Sequence, residues 1–468
     1  MLLTESDETI RKAVFRSLEQ LATTHINDLI KLVALRNEYA RGLGFDDFYA
    51  YKIQIEEGMS KQELFSIFDE IYDRTSYAFA ELRKKEESKP GLRKPWNKAY
   101  MLSGDFVREE DPYFPFSEAL IRWGTSFSRL GVTFRGSVLQ LDLVERKGKY
   151  SNGFCHWPQP VHYEGNTRKP SHANFTCTTV VGQVGEGEDG ISTLFHEGGH
   201  AAHLAHCDQR EVILNTEWPP MSTAWAETQS MFMETLFSSI EWRMRYAKDE
   251  NGNPYPFDLY EKKLHELHAL KPLSLMGMMA VMNFERSLYE TPSLTVPKVK
   301  RIAREVWTYH SDTSEPSLRL LGVPHIYSWE SACSFHGYAL ATLAVHQWRE
   351  YFFKKYGYIV DNPNVGTEMR NVWKHGSSLT FPELVKEATG SKLSPKAWLT
   401  MATRSLTATL REANGRVERL EHEPTKARRV ALDAEIRMVH GKKTIADSRN
   451  GFESMAKTYA LWLAKQHQ

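Results

Sequence analysis

The 468-residue sequence predicts a mainly helical fold with a small β-sheet beside one long helix. Three observations predict it. Residues 7 to about 150 read mostly helical from the spacing of their apolar residues, and helical spacing returns from about 256 onward. Near the end of the first stretch Val138-Leu139-Gln140-Leu141-Asp142-Leu143-Val144 alternates with period two, as a half-buried strand does. Just after that alternating region comes Phe195-His196-Glu197-Gly198-Gly199-His200-Ala201-Ala202-His203, inside a stretch with a helical apolar stripe.

The N-terminal elements follow from local signals. Leu29, Ile30, Leu32, Val33 and Leu35 give one helix, which Gly42 or Gly44 ends. Ser60-Lys61-Gln62-Glu63 is a capping box that starts the next. That helix runs out into the charged run Arg83 to Glu87, a solvated face. Pro115 to Gly131 forms a further helix. Strands are expected at Val138–Val144, Lys149–Trp157 and Ala173–Val181, and the Pro/Gly/His-rich segment 158–171 is a loop. An edge strand of such a sheet can pair with an extended peptide, or it can simply be covered.

The next helix is expected from Gly190 to about His206, with Asp189 as N-cap. Residues four apart share a helix face, so His196 and His200 can offer two imidazole nitrogens to one metal ion. Zinc accepts such ligands, and a catalytic site leaves a position open for water. Glu197 is then placed to take a proton from that water. Gly198 and Gly199 cost about 1 kcal/mol each relative to alanine inside a helix, so something is expected to approach there closely. A single helix is expected from Met221 to about Tyr246. Glu227 and Glu234, seven apart, share one of its faces. Buried carboxylates need partners, and a metal ion is one. Glu227 is the expected third ligand, with Glu217 and Glu234 as rivals; Glu234 could instead orient His196 or His200.

Helices follow at about 256–270, 272–289 and 296–311. Segment 322–338 then combines Gly-Pro turn signals with His325, His336 and Tyr338, and a long helix continues to about Lys355. The three polar-tipped rings are candidate donors for the oxyanion that forms when water attacks a carbonyl. The tail is read as helical, with Leu420–His440 and Phe452–Lys465 as a hairpin.

Together these motifs resemble the thimet oligopeptidase/oligoendopeptidase F family of zinc peptidases. That family's helix reads H-E-F-G-H-x-x-H, and its third ligand is the Glu of E-x-P-S-Q, with another Glu seven residues on. Here Gly198 stands for the Phe, and Glu227-Thr228-Gln229-Ser230 lacks the Pro. The stretch from Leu141 through Lys147-Gly148-Lys149-Tyr150 to Cys155 matches a D-L-Y-x-R-x-G-K-Y…C segment, and Ala173-Asn174-Phe175-Thr176 a V-x-N-F strand. His325 and His336-Gly337-Tyr338 match its late H…Y-x-G-Y loop. The resemblance spans roughly residues 25–405. It implies a large helical peptidase with a deep cleft and a small sheet at its floor. It also implies one Zn2+ per chain held by His196, His200 and Glu227, Glu197 as base, and Tyr338, His325 or His336 as transition-state donors.

The expected function is hydrolysis of internal bonds in short peptides. The rivals are a metallocarboxypeptidase or dipeptidyl carboxypeptidase on a similar fold, and a non-catalytic, metal-stabilised peptide-binding protein. Lys+Arg and Asp+Glu both number 59, which argues against a general nucleic-acid binder. Four scattered cysteines fit a reducing compartment. No signal peptide and no membrane-length apolar run is evident. A cytoplasmic monomer is expected, with a dimer left open. The expected organisation is an N-terminal helical part at 1–131, a catalytic core at 132–406 and a helical extension at 407–468.

Overall fold

The computed structural model describes residues 2–150, 152–217, 220–423 and 429–466. The chain clusters into two compact units, each drawn from separate stretches. The first comprises Met1–Phe106, Lys263–Leu343 and Ser394–Leu406; the second comprises Val107–Lys262, Ala344–Leu393 and Thr407–Gln468.

The described residues of the first unit are helical and irregular. Its helices include Ile26–Gly42, Phe48–Glu57, Lys61–Thr75, Met276–Glu290 and Val296–Ser311. Asp47, Ser60 and Thr295 cap three of them through side-chain oxygens, and Ser60 with Glu63 forms the expected capping box. Leu29, Val33, Phe48, Ile53, Phe68, Met279 and Phe284 are buried between these helices.

The second unit contains the sheet. Its strands are β1 (Ser137–Val144), β2 (Phe154–Gln159), β5 (His172–Thr179), β6 (Ala434–His440) and β7 (Lys443–Asp447), in the order β2-β5-β1-β6-β7. Strand β1 runs parallel to β5 and β6, whereas β2 and β7 lie antiparallel at the edges. The loop 158–171 holds a short hairpin, β3 (His162–Glu164) and β4 (Thr167–Lys169). Alternation turns Leu139, Leu141 and Leu143 of β1 and Ala173, Phe175 and Cys177 of β5 inward. The helix Glu186–His206 packs on β5.

The tail departs from its expected helical hairpin. Residues 434–447 form two strands joined at Gly441, whose φ of +61° suits glycine. Ile436 and Met438 alternate inward and register with Leu139 and Leu141 of β1. Period two was present in Ala434-Glu435-Ile436-Arg437-Met438, but the pairing partner lies some three hundred residues earlier. Part of the expected hairpin, residues 424–428, lies outside the described residues. The expected long helix Met221–Tyr246 is also two, Thr223–Phe237 and Ile240–Tyr246. Ser239 breaks it by accepting the Trp242 amide, just as Ser222 starts the first by accepting that of Trp225.

Candidate metal centre

The histidine helix runs from Glu186 to His206, one turn longer than expected. Gly185, not Asp189, occupies its N-cap; Asp189 lies in the first turn with Glu186 and Glu188, where acids favour the helix dipole. His196 and His200 point from one face toward Glu227 of the following helix. His196 Nε2 is 3.4 Å and His200 Nε2 3.6 Å from Glu227 Oε2. One ligand atom from each of the three lies within 4.8 Å of the others. Among the described residues, this is the one grouping of three or more such side chains.

The two glycines make room for different neighbours. A Cβ on Gly199 would lie 2.8 Å from Gln229 O and from Ser230 Cα, so its absence lets the glutamate helix lie directly against the histidine helix. A Cβ on Gly198 would lie 2.5 Å from Trp123 Nε1. The buried Trp123 indole occupies the space beside that position. Trp123 in turn rests against Phe452 of the C-terminal helix Phe452–Leu463, with ring centroids 6.2 Å apart.

The electrostatics call for a cation. Burial opposes charge on Glu227, yet His200, His196 and the Ser230 hydroxyl hold its pKa down to about 2. Ser230 Oγ donates to Glu227 Oε2 at 2.9 Å. Burial alone would keep His196 neutral, but the Glu234 carboxylate facing its Nδ1 and the charges of Glu227 and Glu197 raise its pKa to about 10. Three carboxylates around two imidazoles thus demand positive charge, and two nitrogens with one carboxylate oxygen fit a divalent ion. Glu234 Oε1 stands 3.3 Å from His196 Nδ1, where it can orient the ring. Glu197 is almost wholly buried, and burial raises its pKa above the usual carboxylate range.

Strand β2 borders this centre. A Cβ on Gly153, just before β2, would meet Glu197 Oε1 at 3.4 Å. The Trp157 ring stands edge-on to His200, with centroids 6.3 Å apart. His156 Nδ1 lies 2.9 Å from Glu217 Oε1, so Glu217, the rival ligand, is engaged elsewhere. Sequence reading missed Trp123, His156 and Trp157. Only the place of the last two, beside Cys155 in the strand expected to lead into the site, pointed to them. His203 is fully buried between Trp225 and Trp373, and burial depresses its pKa to about 3.

The donor candidates belong to the first unit. His325 Nε2 and Tyr338 Oη are 3.2 Å apart, and both side chains are partly exposed. His336 is different: it has no exposed surface, its Nδ1 is 3.2 Å from Tyr49 Oη, and burial depresses its pKa to about 3. A ring without exposed surface presents no face to solvent, so His336 is less readily a donor than His325 or Tyr338.

The chain is similar to several known peptidases. Mitochondrial intermediate peptidase of Eremothecium gossypii is 21% identical over 360 residues, which is 60% of this chain and 46% of that protein. The chain thus spans about half the length of the curated relative. The structure of PZ peptidase A with inhibitor 2 superposes with a TM-score of 0.58 at 19% identity, covering 90% of this chain and 70% of that one. The M32 carboxypeptidase from Deinococcus radiodurans R1 superposes with a TM-score of 0.55 at 18% identity, covering 87% and 81%. These likenesses show a shared helical fold. Residues 1–403, which include the histidine helix, the glutamate helix and the His325–Tyr338 loop, match peptidase family M3 as a whole, and the chain belongs to that family.

Proposed function

We propose that the protein is a zinc-dependent metallopeptidase that hydrolyses internal bonds of short peptides. The observation that carries this reading is the convergence of His196, His200 and Glu227 within 4.8 Å, with Glu197 on the same helix. Those three side chains would hold one zinc ion, which when bound polarises the scissile carbonyl and activates water. Glu197 takes the proton of the attacking water on its carboxylate and passes it to the leaving nitrogen. Glu234 keeps His196 oriented. Strand β2 lies at an edge of the sheet, the kind of strand that can pair with an extended peptide, and such main-chain recognition suits a substrate of varied sequence. The roles of Tyr338 and His325 as oxyanion donors rest on their match to the family motif.

Fold likeness alone does not separate an endopeptidase from a carboxypeptidase, because neighbours of both kinds superpose comparably. The family match favours the oligopeptidase. Glu197 argues against a purely structural metal site, which needs no base. Four free cysteines fit a reducing compartment, in keeping with a cytoplasmic peptidase. Among the described residues, no helix is long and apolar enough to cross a membrane.

The test is mass spectrometry of products from a mixed peptide library with free and amidated C-termini, with and without a chelator. Internal cleavage of both sets, lost with the chelator and restored by zinc, is expected. Cleavage confined to free C-termini would make the protein a carboxypeptidase, and chelator-insensitive cleavage would overturn the metal mechanism.

A further inference from the structure

Segment 322–338 of the first unit is mostly irregular, yet it is tied down by buried charged side chains from three separate helices. Arg36, on the helix Ile26–Gly42, donates to the carbonyls of Ile326 at 2.9 Å, Tyr327 at 3.1 Å and Ser328 at 2.7 Å, and to Tyr289 Oη at 3.0 Å. Lys52, on Phe48–Glu57, donates to the Glu330 carbonyl at 2.8 Å and pairs with Glu56. Glu285, on Met276–Glu290, accepts the Cys333 amide at 2.7 Å. Cys333 is a buried, non-glycine residue with φ of +55°, a conformation that must be held by its surroundings. It stands just before the helix His336–Tyr356, which carries Tyr338.

Burying charge is costly, and here Arg36 and Lys52 offset it with hydrogen bonds to backbone carbonyls, although Arg36 Nε and Glu285 Oε2 make no hydrogen bond among the described residues. An apolar filling would have been cheaper, but it could not satisfy a run of backbone carbonyls. The planar fork of Arg36 does so at three consecutive residues. The held positions, 326 to 333, all lie between His325 and Tyr338, whose side chains meet at 3.2 Å.

We propose that Arg36, Lys52 and Glu285 are positioning residues for the Tyr338–His325 pair: they fix the backbone between the two rings and thereby set where the phenol oxygen is held. This rests on the reading of Tyr338 as a transition-state donor. Positioning of this kind acts on turnover beyond any effect on folding, because small displacements of a donor forfeit much of its effect.

The test uses the full-length, metal-loaded protein and a double-mutant cycle. Arg36→Lys keeps the charge but loses the fork. It is expected to lower kcat about tenfold, to change KM less than about twofold, and to leave metal content unaltered. In the Tyr338→Phe background the same change should cost less than about twofold, because the residue it serves is already silent. Glu285→Leu should behave as Arg36→Lys does, and it supplies the same cycle should Arg36→Lys fail to fold. Glu285→Gln, which keeps an acceptor for the Cys333 amide, should restore most of the turnover. Equal losses in both backgrounds would overturn the proposal and leave these residues a purely structural role. An unchanged kcat in Tyr338→Phe alone would instead remove the donor role on which the proposal rests.

Discussion

The histidine and glutamate helices and the segment 322–338 solve the same problem by opposite means. Each must hold polar side chains at fixed positions. The two helices do it by subtraction: glycine at 199 lets one backbone lie against the other, and the regular 3.6-residue repeat places His196, His200, Glu227 and Glu234. The loop does it by addition: its irregular carbonyls are caught by Arg36 and Lys52, and its strained residue by Glu285. A helix brings its own geometry, so close packing suffices. A loop has no internal ladder, so its order depends on side chains supplied from far away in the sequence.

Changes at the metal centre should have the largest effects. Glu197→Gln should keep the metal and lower kcat by about 10²–10⁴-fold, the range for losing a positioned base. His196→Ala and Glu227→Ala should instead lower metal occupancy. Elemental analysis beside turnover separates the two classes, and near-normal kcat in metal-loaded Glu197→Gln would overturn the assigned base. On the loop side, Tyr338→Phe should lower kcat by about 10²–10³-fold with little change in KM, as loss of one oxyanion donor does. A melting temperature close to wild type would show the comparison to be fair. If kcat fell only a few-fold, Tyr338 would be packing and His325 the better donor.

The same contrast explains what the sequence revealed. The shared helix face of His196 and His200 was legible because helical spacing is local, and so was the capping box at Ser60, whereas Glu227 was singled out by its separation from His200 and by the family motif. Strands β1 and β5 were legible from alternation. Strands β6 and β7 were not, because their meaning depends on pairing with β1 across most of the chain. Gly198 departs from the family pattern, and its physical reason, the buried indole of Trp123 beside it, lies 75 residues away in the sequence. The clamp on the loop could not be read at all: Arg36 and Ile326 are 290 residues apart, and no local pattern joins them.

The clamp also has a signature in stability. Burial raises the Glu285 pKa to about 7 against an ordinary 4.5, although the Cys333 amide, Arg36 and Lys52 favour its charge. Ionisation is therefore harder in the folded protein than in the unfolded chain. The stability associated with the protonated acid is fully present below pH 4.5 and is lost as pH rises to about 7. The shift corresponds to about 3 kcal/mol. Glu285→Gln should remove that slope, read as the difference between wild type and variant in denaturant unfolding at pH 5 and pH 8. Parallel pH profiles would mean that Glu285 stays ionised throughout.

The subtraction that joins the two helices can be tested against a matched glycine elsewhere. Gly199 and Gly415 both lie inside helices, Glu186–His206 and Leu406–Glu421. A Cβ on Gly415 would meet nothing within 4 Å, so Gly415→Ala should gain about 0.5–1 kcal/mol from helix propensity and the reduced freedom of the unfolded chain. At Gly199 the same methyl would press on Gln229 O and Ser230 Cα at 2.8 Å. These are backbone atoms, which cannot swing aside as a side-chain tip can. The propensity gain is still present, but overpacking of about 1–3 kcal/mol should outweigh it. Gly199→Ala should therefore destabilise where Gly415→Ala stabilises. Its damage should also reach function, because pushing the glutamate helix away moves Glu227 from His196 and His200. Metal affinity measured by competition with a chelator should fall in Gly199→Ala and stay unchanged in Gly415→Ala. If both variants gained stability and bound metal equally well, close approach at Gly199 would not be what sets the ligand geometry, and Ser230, bonded to Glu227, would become the residue to examine.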